Sequence, residues 1–136
     1  MWIQKKYPDT IYFDLRPEVK PDVIGDIRHA PFADETFDLI IFDPPFRSSG
    51  VNTKWKDIYG IFDTADILNL IIEGLPEMKR ILKKDGILNM KWSPHSISLK
   101  RVLALIPAGL TVLLGQQTAF RTKHASSTYW FTIIKE

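Results

Sequence analysis

The chain has 136 residues, 45% apolar and 25% charged, which suits one globular domain, residues 1–136, and argues against a disordered chain. Its 18 basic residues against 16 acidic ones leave a net charge of +2, too little to advertise nucleic-acid binding, though a local basic patch is compatible with it. There is no cysteine, no charged-then-apolar leader and no apolar run of membrane-spanning length, so disulfides and thiolate-bound zinc are excluded and a cytoplasmic address is expected.

Thr10 to Asp14 reads as a short apolar strand ending in an acid, Lys20-Pro21-Asp22 as a turn, and Val23 to Asp26 as a second short strand. Pro31 to Thr36 is a loop feeding a strand from Phe37 to Phe42. Four consecutive apolar residues, Leu39 to Phe42, predict a parallel strand covered on both faces. Asp43-Pro44-Pro45-Phe46 then ends it. The prolines admit neither a helix nor a continued ladder, so the acid is held at the strand's carboxyl end, where open α/β sheets bind ligands. Its carboxyl group is expected beside a cavity and not turned out into bulk solvent. An acid, a carbonyl and an aromatic ring fixed there suit a planar amino-bearing group; the plainer alternative is a strand terminator with a capping acid.

Arg47 to Thr64 is too rich in Ser, Gly, Asn and Lys for a core element. Its Arg47, Lys54, Trp55, Lys56, Tyr59 and Phe62 interleave cations with aromatics, as phosphate contact and base stacking require; a solvated loop whose rings return to the core is the alternative. A helix is predicted from Thr64 or Asp66 to Lys84, because Ile67, Ile71, Leu75, Met78 and Leu82 follow helical spacing. Pro76 should kink or split it, and Lys83-Lys84-Asp85-Gly86 should stop it.

Ile87 to Trp92 is the next strand, and Ser96 or Ser98 caps a helix through Ile106, stopped by Pro107 and Gly109. Leu110 to Gly115 and Thr128 to Ile134 form a closing antiparallel pair, with Arg121-Thr122-Lys123-His124 in its hairpin as a second candidate backbone contact, or simply a solvated turn. Trp92 reads as core, with a wall of the site as the alternative. His29, His95 and His124 are scattered without metal-ligand spacing. The order β-β-β-α-β-α-β-β predicts an α/β sheet with an antiparallel edge.

In chain order, the acid-ended strand at Asp14, Gly25-Asp26 followed by Pro31-Phe32, and Phe37-Asp38 leading into Asp43-Pro44-Pro45-Phe46 make a series. With the helix closing in Lys79 to Gly86, this series resembles a class I S-adenosylmethionine-dependent methyltransferase. More narrowly, it resembles enzymes whose Asp-Pro-Pro-aromatic motif methylates exocyclic amino groups. The likeness covers essentially the whole chain, and the Lys54 to Gly60 loop is similar to that of small phage and prokaryotic methyltransferase-like proteins. The resemblance implies a Rossmann-like sheet with an antiparallel C-terminal edge and S-adenosylmethionine as cofactor. It implies that Asp14 takes the cofactor's ribose hydroxyls and Asp26 its adenine amino group, with Ile27 and Phe32 packed on the adenine. The Asp43 carboxylate and Pro44 carbonyl would accept the two hydrogens of the target amine, Pro45 would fix the corner, and Phe46 would stack on the target ring. Arg47, Lys54, Trp55, Lys56, Tyr59, Arg121 and Lys123 would meet the nucleic acid.

One departure stands out. No Gly-rich turn follows a strand before Asp14, and Met1-Trp2 falls where the family's first helix lies. The first strand and its glycine turn are therefore expected to be missing, through a start placed at an internal methionine or a truncated copy. Three functions are open on this reading: methyl transfer to adenine N6 or cytosine N4 in a nucleic acid; an inactive remnant binding nucleic acid or a partner chain; or transfer to a protein glutamine or small amine. An incomplete sheet also leaves apolar edges that favour self-association.

Overall fold

A computed structural model describes residues 7–46, 63–118 and 127–136. Its elements follow the predicted order: β1 (Phe13–Asp14), β2 (Val23–Ile24), β3 (Phe37–Phe42), α1 (Thr64–Ile81), β4 (Leu82–Trp92), α2 (Leu99–Leu103), β5 (Leu110–Thr118) and β6 (Thr128–Lys135). Two 3-10 turns, Pro17–Val19 and Ile27–His29, follow β1 and β2. Strands β3-β4-β6-β5 form one sheet in that order, and β1-β2 a separate parallel pair. Within the larger sheet β3 and β4 run parallel, and the other pairings are antiparallel. This is a Rossmann-like α/β arrangement with an antiparallel C-terminal edge.

Asp63 caps α1, in place of the expected Thr64 or Asp66. Its Oδ1 accepts from the Asp66 N–H at 2.7 Å, and Asp66 Oδ2 accepts from the Asp63 N–H at 3.0 Å, so each side chain satisfies the other's otherwise orphaned donor. Ile67, Ile71, Leu75 and Met78 form the buried stripe as their spacing required. The helix is not split at Pro76. Pro76 is exposed, and so is Ile72 one turn earlier, whose carbonyl loses its donor on the side where water can replace it.

Other boundaries differ from expectation. The helix ends at Ile81 and β4 begins at Leu82, five residues before the predicted Ile87. Leu82 pairs with Phe37 and Ile87 with Leu39, so five steps along β4 match two along β3. The surplus is a bulge, with Asp85 at φ 60°; Lys83 to Gly86 bend the strand where they were expected to stop a helix. β1 and β2 are only two residues each, because Asp26 leaves the second strand to cap the turn Ile27–His29. Ser98 caps α2, which is five residues long and passes through turns to Ile106.

The core lies on one face of the sheet. Leu88, Met90 and Trp92 of β4 and Phe131 and Ile133 of β6 pack with the α1 stripe, and the Trp92 indole N–H donates to the buried Ile97 carbonyl at 3.1 Å. Trp92 is thus core and not a wall of the site. The other face is bare among the described residues. Leu39 is 54% and Ile41 67% exposed, so β3 is not covered on both faces as its apolar run suggested. Among those residues one helical layer and one neighbouring strand reach it.

Candidate functional site at the carboxyl end of β3

β3 ends at Phe42, where the prolines interrupt pairing, and Asp43 follows at the carboxyl ends of the parallel pair. Ladder register sets what Asp43 meets. Phe42 pairs with Met90, so the next residue of each strand turns to the face away from α1, and Lys91 comes beside Asp43. Lys91 Nζ donates to Asp43 Oδ2 at 3.0 Å. Lys91 is also paired directly with Trp130 on β6, and its Nζ lies 5.9 Å from that ring's centre. Asp43 Oδ1 has no hydrogen bond among the described residues.

Pro44 is buried, Pro45 and Phe46 are half-buried, and Phe46 packs against the core. His95 stacks on Phe46 with ring centres 5.8 Å apart and planes at 21°. The Asp43 side chain is exposed, at 51%, and not in the cavity-side position expected of it, because the residue after Phe42 turns to the sheet face away from α1. A shallow cavity of about 380 Å³ lies elsewhere, lined by Asp34, Glu35, Pro76, Lys79, Arg80 and Lys135. Those residues flank the start of β3, and their cations are engaged: Arg80 with Asp34 and Glu77, Lys135 with Glu35, and Lys79 with the Ala108 carbonyl.

The two carboxylates expected to hold the cofactor share one device. Asp14 Oδ1 accepts from the Arg16 backbone N–H at 2.9 Å and from Arg16 Nε at 3.0 Å, and Oδ2 accepts from Nη2 at 3.1 Å. Burial alone would raise the Asp14 carboxyl, but the Arg16 hydrogen bonds and charge outweigh it and hold the group below its ordinary value. Asp26 repeats the arrangement with Arg28: Oδ1 accepts from the backbone N–H and Nε, and Oδ2 from Nε and Nη2. The Arg28 side-chain hydrogen bond is the main cause of its lowered pKa. A carboxylate offers about four acceptor positions, and each of the two takes the backbone N–H, Nε–H and Nη2–H of its arginine, so each keeps about one position for a further donor. The donor set would suit one ribose hydroxyl at Asp14 and one amino hydrogen at Asp26.

Ile27 packs on the core, with its Cγ2 3.5 Å from where a Cβ on Gly74 would lie. Phe32 stands edge-on between Phe13 at 5.3 Å and Phe37 at 5.0 Å, an aromatic link from β1 to β3. Both are packing residues in this state. Arg47, Lys54, Trp55, Lys56, Tyr59 and Phe62, and Arg121, Thr122, Lys123 and His124, lie outside the described residues. Among the described residues no three His, Asp or Glu side chains gather to hold a metal, and no helix is long and apolar enough to cross a membrane.

The sequence places Lys91 at the strand end beside the site but gives no role to it or to Arg80. That Lys91 meets Asp43 follows only from ladder register, which the sequence does not print. Arg80 is a clasp: it donates to the Phe32 and Ala30 carbonyls at 2.8 and 3.0 Å and pairs with Glu77 and Asp34, tying the loop before β3 to α1.

No family model and no curated protein sequence matches the chain. Among solved structures it is similar to the N-methyltransferase NodS from Bradyrhizobium japonicum WM9, with 14% identity and a TM-score of 0.63 over 90% of this chain and 71% of that one. It is also similar to the cyclase SpnF, with 13% identity and a TM-score of 0.58 over 82% of this chain and 54% of that one. A third is TTHA0409 of Thermus thermophilus, assigned without proof as a DNA modification methylase, with 14% identity and a TM-score of 0.54 over 93% and 55%. The chain spans about half the length of the last two. These likenesses show that the chain has the fold of the S-adenosylmethionine-dependent methyltransferases.

Proposed function

We propose that the chain transfers a methyl group from S-adenosylmethionine to an exocyclic amino group of a nucleic-acid base, adenine N6 or cytosine N4. The fold alone does not choose a reaction, since a cyclase shares it. The observation that carries the reading is Asp43 at the carboxyl end of β3, with one carboxylate oxygen bound by Lys91 and the other without a partner among the described residues, and with Pro44, Pro45 and Phe46 following it in the chain.

A ring-conjugated amine is a poor nucleophile because its lone pair is delocalised. Asp43 Oδ1 and the Pro44 carbonyl, accepting its two hydrogens, favour a pyramidal nitrogen and aim its lone pair; alignment of this kind supplies much of the rate without a covalent enzyme intermediate. When bound, S-adenosylmethionine supplies a methyl carbon made electrophilic by its sulfonium. Methylation of the nitrogen would release one of its protons, which the Asp43 carboxylate would be placed to receive. Asp14 Oδ2 would take a ribose hydroxyl.

The test is methyl transfer from labelled S-adenosylmethionine to adenine- and cytosine-containing oligonucleotides. Asp43→Ala should abolish transfer and leave thermal unfolding nearly unchanged, because a half-exposed ion pair contributes about 0–1 kcal/mol. Retained turnover in that variant would remove the mechanism. The Asp14–Arg16 and Asp26–Arg28 pairs, each of which fills most of its carboxylate's acceptor positions, favour a second reading, a methyltransferase-like fold that binds nucleic acid or a partner chain without catalysis. Calorimetric titration with S-adenosylmethionine separates the two, since only the first requires heat of binding.

A further inference from the structure

We infer that Lys91 is a positioning residue for Asp43, fixing which carboxylate oxygen is offered to the incoming amine; this rests on the function proposed above. A half-exposed aspartate turns readily about its last side-chain bond, which has broad, roughly two-fold preferences. An acceptor that must aim a nitrogen lone pair cannot be left to turn. Asp43 is immobilised from one side only, by Lys91 on Oδ2 at 3.0 Å.

Lys91 is itself constrained. It lies near the end of β4, between β3 and β6 in the sheet order, and its ammonium group sits 5.9 Å from the centre of the Trp130 ring directly across the ladder. A cation over an aromatic face is held there by the ring's quadrupole. Trp130, Lys91 and Asp43 therefore form a line across three adjacent strands, all on the face away from α1. The line ends in a carboxylate with Oδ2 taken and Oδ1 without a partner among the described residues. A strand register, and not a loop, sets the direction of the acceptor.

The experiment uses the whole chain and an adenine-containing oligonucleotide, with labelled S-adenosylmethionine as donor. Lys91→Met keeps the stem length and removes the charge. It should lower kcat about 10- to 100-fold, the scale of a misplaced reacting group, with KM for the oligonucleotide within about threefold of the parent. Lys91→Arg restores a donor to Oδ2 and should recover kcat to within about threefold. Parental kcat in Lys91→Met would overturn the inference, as would a loss carried by KM alone, which marks a phosphate contact, or an Arg variant as slow as the Met variant. If Lys91→Met failed to fold, the Arg variant would decide alone, a large loss of kcat overturning the inference. An unsubstituted chain that transfers no methyl group would overturn the function itself, whereas an active parent beside an undisturbed Met variant would overturn only the role of Lys91.

Discussion

Asp14 and Asp26 each close on the arginine two positions downstream, and Glu77 closes on Arg80 three positions on. All three carboxyl groups titrate below their ordinary values in the folded chain. For Asp14 burial opposes the shift; for Asp26 and Glu77 the arginine side-chain hydrogen bond is the main cause. A carboxyl whose pKa is depressed by folding contributes stability that is complete above its unfolded value, about 4, and is lost as pH falls through the folded value. The melting temperature should therefore decline as the pH falls below about 5, and Asp14→Asn should make that decline shallower in a pH series of thermal melts. An identical acid limb in parent and variant would show that the Arg16 pairing contributes nothing to folding. These aspartates were legible as acids at strand ends and their partners were not, although an Asp-x-Arg spacing at 14–16 and 26–28 is visible in the sequence. The spacing has a reading of its own: a short side chain accepting from a backbone N–H two residues on is a local turn device.

At the scale of elements, periodicity was the dependable guide and boundaries were not. The Ile67, Ile71, Leu75, Met78 spacing located α1 and its buried face, because a 3.6-residue repeat has few other physical explanations. Leu82 continues that spacing, yet belongs to a strand; pairing with Phe37 overrode the helical pattern, and the cations and glycine after it served a bulge. The stripe carries a measurable consequence. Leu75 is fully buried in the layer between α1 and the sheet, so Leu75→Ala should cost about 2–5 kcal/mol in urea unfolding, lost transfer energy plus a cavity. A cost under about 1 kcal/mol would mean that α1 does not pack on β4 and β6 as described. The Asp-Pro-Pro-Phe corner was legible for the complementary reason, since proline's missing N–H and fixed φ leave the backbone few conformations after a strand.

For the whole molecule, the main feature hidden in the sequence was that one sheet face and the β3 edge lie open among the described residues. An apolar run reads the same whether two layers cover it or one, so Leu39 and Ile41 gave no sign of their exposure. Unpaired edges with apolar side chains promote association. Sedimentation over a concentration series should detect self-association of the chain, and Ile41→Lys should reduce it; a concentration-independent monomer in the parent would remove that expectation.

The alternation of strand side chains puts Asp43 and Lys91 on the same side as Leu39 and Ile41, opposite the layer that stabilises the fold. The chemistry proposed for Asp43 would thus lie on the face opposite the packed core. On the function proposed, bulk attached to the acceptor would meet no enclosing wall among the described residues, so the reach of its nitrogen to the corner would limit it more than the size of whatever trails behind. A base still joined to its polymer satisfies that condition as readily as a free one.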